Sequence, residues 1–294
     1  MRLAVRHVTR YAYAPAALRA ALRLRLWPSR HDTQIPEGWT VSVNGAPVAP
    51  LMTDAWGEPL GLWHAHDPVE EVEIVAEGVV ETGDGAGVLS GLDRCRAVGV
   101  YLRASPLTEP DDALAEFAQA VKEEAEKLSG PDQPLAALHA LNHAVREAVD
   151  YRPGATDADT TAARALALGA GVCQDHAHVF LACARAMGAP ARYVAGYLLA
   201  ADPADREEED GDEVVPDAHE THAWVEAHVP GLGWVGFDPS NRVCPTDRYI
   251  RLASGLDARD AAPIRGSVSG QTEEALEAEV SIAPASQGQT QTQQ

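Results

Sequence analysis

Gly169-Ala170-Gly171-Val172-Cys173-Gln174-Asp175-His176-Ala177-His178-Val179-Phe180-Leu181-Ala182-Cys183-Ala184-Arg185-Ala186-Met187-Gly188 is the stretch that decides the fold. It is the most apolar helical segment of the chain, and a helix that is apolar all round is buried all round. A helix is therefore expected over 172–187, stopped by Gly188 and Pro190. Downstream, strands are expected near Arg192–Leu199, His222–Val229 and Gly233–Asp238, the last two joined by the turn Pro230-Gly231-Leu232-Gly233. Upstream, Leu114, Phe117, Val121 and Leu128 repeat at helical spacing after Thr108, a candidate cap, with Asp111 and Asp112 in the first turn. A second helix carries Leu135, Leu138, Leu141, Val145 and Val149, and a short third one runs from Thr161 to Gly169. Helices first and then an antiparallel sheet is an α+β layout.

Residues 1–105 read as β. Leu3, Val5 and His7 alternate with Arg2, Ala4 and Arg6, and Leu22, Leu24 and Leu26 alternate with Arg23 and Arg25. Val41-Ser42-Val43 runs into Asn44-Gly45, a strong hairpin signal. Short period-two runs separated by turn residues suggest a sandwich-like N-terminal domain. Trp27, Trp39, Trp56 and Trp63 are read there as core or interface residues. The expected organisation is a β-rich domain over 1–105, a core over 106–268, a C-terminal strand segment over 269–283 and a disordered tail over 284–294.

The chain has 294 residues, with 44 acidic against 23 basic side chains and a net charge of -21. Such a surface repels phosphate backbones, so no nucleic-acid partner is expected. No apolar run reaches the roughly 18 residues of a membrane span, and the first residues hold no apolar stretch of signal-peptide length. A cytoplasmic protein without a membrane partner is expected. Cys95, Cys173, Cys183 and Cys244 lie too far apart for a four-cysteine zinc site or a disulfide scaffold.

Cys173 is the first candidate for chemistry. A thiol at a helix N-terminus sits at the positive end of the dipole, which favours the nucleophilic thiolate. The unpaired N–H groups there could hold an oxyanion. A small buried hydrophobe is the competing reading. A thiolate needs a histidine, and the histidine an orienting group. His222 begins one expected strand and Asp238 ends the next, so the hairpin brings them together on one face. A metal reading would draw on His176, His178, His219 and His222, but the i,i+3 pair His219/His222 introduces a strand rather than lying at helical zinc-protease spacing. No metal is expected. The acidic run 202–213, with eight acids and one arginine, lacks the ligand order of a calcium loop. It reads as a solvated loop, whose field would favour cationic substrates if it overhangs the site.

Three blocks carry a resemblance: Gly171-Val172-Cys173-Gln174-Asp175-His176, His222-Ala223-Trp224-Val225-Glu226, and Gly233-Trp234-Val235-Gly236-Phe237-Asp238-Pro239-Ser240-Asn241. In this order, with Gly188 to Leu198 between the first two, they resemble bacterial transglutaminase-like proteins of the papain-like cysteine superfamily. Tyr11, Tyr13, the run to Trp27-Pro28 and Tyr101-Leu102-Arg103 resemble that family's N-terminal domain. Tyr151-x-Pro153-Gly154-x-Thr156, Arg248-Tyr249-Ile250-Arg251 and Asp260 to Gly266 resemble flanking segments of its core.

The resemblance implies Cys173 as nucleophile, His222 as base and later acid, and Asp238 as orienter. Gln174, Tyr151 and Trp224 would serve the oxyanion region or the pocket, and no cofactor is implied. His176 stands where the family more often has an aromatic, and Ser254-Gly255-Leu256-Asp257-Ala258 departs from the glycine-arginine-aspartate-tyrosine run expected there. The implied activity is thiol-dependent acyl transfer at amide bonds of a peptide or protein: hydrolysis by preference, with amine transfer by a transglutaminase as the alternative. A non-catalytic peptide-binding module on the same fold is the alternative of another class. Oligomeric state is not legible.

Overall fold

A computed structural model describes residues 1–92, 97–127, 133–199 and 221–285. The expected acidic loop at 202–213, His219, Cys95 and Leu128 fall outside the described residues, as does the expected tail from 286 onward.

The chain opens with strands β1 (Arg2–Ala17), β2 (Arg19–Leu24), β3 (Gln34–Val43), β4 (Ala46–Val48), β5 (Met52–Thr53), β6 (Pro59–His64), β7 (Val69–Thr82) and β8 (Val88–Leu89). Leu3, Val5 and His7 point inward from β1 while Arg2 and Arg6 are exposed, as period-two alternation requires. Asn44 and Gly45 both take positive φ, 49° and 77°, which matches the twist of the β3–β4 hairpin.

Helices follow: α1 (Asp112–Glu126) and α2 (Gln133–Ala148), then β9 (Asp150–Tyr151), α3 (Ala162–Leu168), β10 (Ala170–Gly171) and α4 (Cys173–Ala186). Thr161 caps α3, and Gly169 ends it in the left-handed region at φ 61°. One expectation is corrected. Asp111, not Thr108, caps α1 by accepting from the Leu114 N–H. Thr108 is fully buried instead, where its hydroxyl meets Ser105 and accepts from Arg185 Nη1 at 2.8 Å.

The last strands are β11 (Ala191–Leu198), β12 (Thr221–Val229), β13 (Gly233–Phe237), β14 (Tyr249–Gly255), β15 (Ile264–Ser269) and β16 (Glu273–Pro284). The central sheet has the order β14-β11-β12-β13-β8 and is antiparallel. Its odd-numbered residues on β12 and β13 (Ala223, Val225, Ala227, Val235, Phe237) pack against α4 through Phe180, Leu181 and their neighbours. The fold is thus α+β, with helices on one face of this sheet.

Two further sheets, β16-β1-β7-β3-β4 and β15-β2-β6-β5, share a core of Tyr13, Leu22, Leu24, Val41, Val72 and Ile74, with Trp27, Trp39 and Trp63 against it. The C-terminal strands complete these N-terminal sheets: β16 pairs with β1 and β15 with β2.

A buried polar network joins the two units. The Glu226 carboxylate, wholly buried on β12, accepts from Arg192 Nε at 2.6 Å and Arg251 Nε at 2.8 Å. Arg251 also donates to Glu58 at 2.7 Å, and Ser254 donates to the same carboxylate at 2.8 Å. Gln34 closes the seam, donating to the Ser29 carbonyl at 2.7 Å and accepting from the Arg251 N–H at 2.7 Å. Buried charges need such pairing. Burial would raise the pKa of Glu226, but Arg192 and Arg251 outweigh it and hold the carboxyl down at about 2.

Candidate active site

Cys173 is the first residue of α4 and is half-buried. The start of the helix is fixed by Asp175. Its Oδ2 accepts from the Val172 N–H at 2.8 Å and from the Thr156 hydroxyl at 2.6 Å, while the Asp175 N–H donates to the Val172 carbonyl at 2.9 Å. These bonds satisfy groups that a helix N-terminus leaves without internal partners. Gly171 has no alternative here, because a Cβ would stand 2.6 Å from that of Asp175. The N–H groups of Cys173 and Gln174, in the first turn of α4, have no helical carbonyl one turn earlier.

His222 and Asp238 meet as the hairpin geometry predicts. Both are even-numbered and meet at the open end of the hairpin, where His222 Nε2 lies 2.6 Å from Asp238 Oδ2. Both are buried. Asp238 Oδ2 also accepts from the Tyr249 hydroxyl at 2.8 Å and Asn241 Nδ2 at 2.7 Å, and Oδ1 accepts from the Ser240 N–H at 2.9 Å.

Burial alone would lower the pKa of His222. The Asp238 charge and hydrogen bond outweigh burial, the Cys173 thiol adds to them, and the ring is raised to about 10. For Asp238 burial pushes upward, but His222 and the bonds from His222, Tyr249 and Asn241 prevail and lower it. The other ring nitrogen of His222, Nδ1, is buried and has no hydrogen bond within ordinary geometric limits among the described residues. Cys173 lines the same cleft and is among the groups that raise the ring's pKa.

Cys173 and His222 line one cleft of about 510 Å³. Gln174 and Tyr151 line it too; the Tyr151 ring stacks on His176 at 6.0 Å and Gln174 Nε2 reaches the Ala158 carbonyl at 3.4 Å. Trp224 does not. It is buried behind the histidine, stacked on the His222 ring at 6.2 Å and edge-on to Tyr249 at 5.5 Å, and it borders a separate small cavity of about 40 Å³ with Gln34, Glu226 and Arg251. The reason is strand spacing: Trp224 shares the face of His222 but sits two residues further along β12, beyond the mouth of the cleft.

Sequence reading missed Tyr249, Asn241, Thr156 and Asp175 as supports. Asn241, three residues after Asp238 in a turn, carried a local signal; the others depend on tertiary contact.

His176 and His178 are engaged elsewhere. His176 places Nδ1 2.8 Å from the Val172 carbonyl and Nε2 2.8 Å from the Val149 carbonyl, and burial lowers its pKa. His178 accepts from the Ala258 N–H at 3.1 Å, and burial lowers it to about 4. Among the described residues no group of three or more His, Cys, Asp or Glu side chains could hold a metal ion, and no helix is long and apolar enough to cross a membrane.

Comparison with known proteins agrees with this architecture. Residues 122–239 match the model of the transglutaminase-like superfamily, and residues 3–81 match the bacterial transglutaminase-like N-terminal region. An uncharacterised protein of Mycobacterium leprae is 30% identical over 290 residues, covering 96% of this chain and 98% of that protein. A protein-glutamine gamma-glutamyltransferase of Pseudomonas aeruginosa is 32% identical over 143 residues, covering 48% of this chain and 20% of that protein. A crystal structure described as a proposed cysteine protease from Cytophaga hutchinsonii superposes with a TM-score of 0.70 at 21% identity, covering 98% of this chain and 91% of that one, a likeness of fold.

Proposed function

Because this chain belongs to the transglutaminase-like superfamily, with the bacterial transglutaminase-like N-terminal region ahead of the core, we propose that it performs thiol-dependent acyl transfer at amide bonds through Cys173, His222 and Asp238. The observation that carries this reading is the 2.6 Å bond from His222 to Asp238, with the free ring edge in the same cleft as a cysteine that opens a helix.

The Cys173 sulfur attacks the amide carbonyl with its proton held on His222 Nδ1, which the raised pKa keeps protonated. The tetrahedral oxyanion accepts hydrogen bonds from N–H groups at the start of α4, which are aimed before reaction begins. The imidazolium then protonates the leaving amine, giving a thioester on Cys173 and the free amine. Asp238 keeps the ring oriented and stabilises its charged form. Water, deprotonated by His222, attacks the thioester; the C–S bond breaks, the carboxylic acid leaves, and the proton taken from water stays on His222 beside the Cys173 thiolate, as before the first attack.

Hydrolysis of peptide or isopeptide bonds is the first reading. Amine transfer is the second, favoured by the similarity of half the chain to a protein-glutamine gamma-glutamyltransferase; there a primary amine replaces water. A cytoplasmic setting would keep the thiol reduced, and cell fractionation tests it. A peptide substrate is proposed.

The test is mass analysis of a glutamine- and lysine-containing peptide pool incubated with wild type or Cys173→Ala, with and without added primary amine. Shortened peptides that need Cys173 establish hydrolysis, and amine-tagged peptides establish transfer. No Cys173-dependent product in a pool that spans all residue pairs contradicts both.

A further inference from the structure

The cleft that holds Cys173 has two walls of different origin. One comes from the core, through Tyr151, Gln174 and His222. The other comes from β1 and β16, through His7, Thr9, Tyr11, Leu276 and Ala278. Tyr11 pairs with Leu276 and Thr9 with Ala278 across the two strands, so these side chains share one face. The His7–Tyr197 bond and the apolar cluster of Leu3, Val5, Val280 and Ile282 with Ile250 and Leu252 hold this wall against the core.

Within the wall, His7 Nδ1 lies 2.8 Å from the Tyr197 hydroxyl and Nε2 lies 3.0 Å from Thr9 Oγ1. All three residues are buried. Burial lowers the pKa of His7 to about 4, so the ring is neutral at pH 7 and carries one N–H. Two proton arrangements are possible. With the proton on Nδ1, His7 donates to Tyr197, and the tyrosine O–H, with no second partner among the described residues, is left buried and unpaired. With the proton on Nε2, Tyr197 donates to Nδ1 and His7 donates to Thr9. Each arrangement leaves one hydroxyl proton without an acceptor, but the first strands it on the wholly enclosed Tyr197, whereas the second leaves it on Thr9 at the edge of the cleft, where a ligand can accept it, so the second is the less costly. It leaves the Thr9 O–H free, on a residue that lines the cleft. Beside it stands a second unspent surface. Leu276 is 58% exposed and adjoins Tyr11, which stacks on Tyr13.

We propose that the inward face of β1 and β16 is the substrate-binding wall of the active site, with the Thr9 hydroxyl donating to a carbonyl of the bound peptide and Tyr11 and Leu276 covering an apolar side chain next to it. This deepens the acyl-transfer reading and rests on it. It gives the N-terminal domain a part in recognition and names the substrate class as a peptide with an apolar residue beside the reacting amide. Thr9 binds; His7 and Tyr197 position its proton.

The test uses two reagents that alkylate Cys173 with the same reactive group. Bromoacetamide senses the thiol alone, and bromoacetyl-leucyl-glycyl-glycinamide must also be bound. The ratio of their second-order rate constants reads the wall without needing turnover. The expected ratio in the wild-type protein is well above one. Thr9→Val should lower it about fivefold, the effect of one lost hydrogen bond, and Thr9→Ser should restore it. Leu276→Asn, at an exposed position, should lower the ratio severalfold for the leucyl reagent and leave that for a glycyl analogue unchanged. Bromoacetamide rates should match wild type in all three variants.

A wild-type ratio of one overturns the proposal. So does a Thr9→Val or Leu276→Asn protein, folded by circular dichroism, that keeps the wild-type ratio. Failure of the underlying chemistry shows separately, as a bromoacetamide rate that His222→Gln does not change.

Discussion

His222 and Asp238 stand sixteen residues apart, on adjoining strands, with Nε2 and Oδ2 2.6 Å from each other and no water-facing surface on the carboxylate. The bond engages Nε2 and leaves Nδ1 as the ring nitrogen without a partner among the described residues. Asp238→Asn should therefore do more than weaken a contact: its amide can present an N–H to Nε2 and reverse the tautomer. The expected loss in kcat/KM is on the order of a thousandfold or more, measured on whichever peptide the wild type turns over. A loss below tenfold would remove Asp238 from the mechanism.

The same pair should leave a mark on stability. The pKa of His222 is raised in the folded protein from 6.5 to about 10, so its contribution is complete below about pH 6.5 and is lost as pH rises through about 10. Asp238 is lowered from 3.8, so its contribution is present above that pH and is lost as pH falls through the folded value. The difference in Tm between wild type and His222→Gln should be largest between about pH 4 and 6.5 and shrink steadily towards pH 10. A difference that stays flat from pH 6 to 10 would contradict the pairing.

Glu226 is the hinge of the seam between the two units. Glu226→Leu leaves Arg192 and Arg251 buried without their shared carboxylate, and breaking such a pair costs about 3–5 kcal/mol. Urea unfolding should show a loss of that order. A loss under about 1 kcal/mol would mean that the arginines reach water when the carboxylate is removed.

Gly196 lies under Trp224, which stacks on His222. A Cβ there would stand 2.1 Å from the Ile250 carbonyl oxygen and 2.5 Å from the Trp224 ring. Gly196→Ala should cost about 1–3 kcal/mol through overpacking and lower turnover as well, because the displaced Trp224 stacks on His222. Unfolding curves and kinetics on one preparation check both effects.

Much of this was legible in the chain itself. Alternation at Leu3, Val5 and His7, the Asn44-Gly45 turn, and Thr161 with Gly169 around α3 are local signals, and local chemistry decides those features. Cys173 was legible because a helix start is legible, and Asp238 because the turn before it sets strand parity. Thr108 misled because a buried guanidinium, Arg185, claims its hydroxyl in the fold. Trp224 misled because sharing a strand face with His222 does not mean reaching the same cleft. The pairing of β16 with β1 joins residues such as Leu3 and Pro284, and no local pattern announces a partner so distant. The second wall of the cleft was hidden for that reason.

The most direct measurement is the intact mass of the protein, quenched in acid seconds after mixing with a substrate peptide. The account predicts a wild-type adduct equal in mass to the acyl fragment, mapped to Cys173, removed by hydroxylamine as a thioester is, and missing from Cys173→Ala. Product formation without any adduct, or the same adduct on Cys173→Ala, would contradict it.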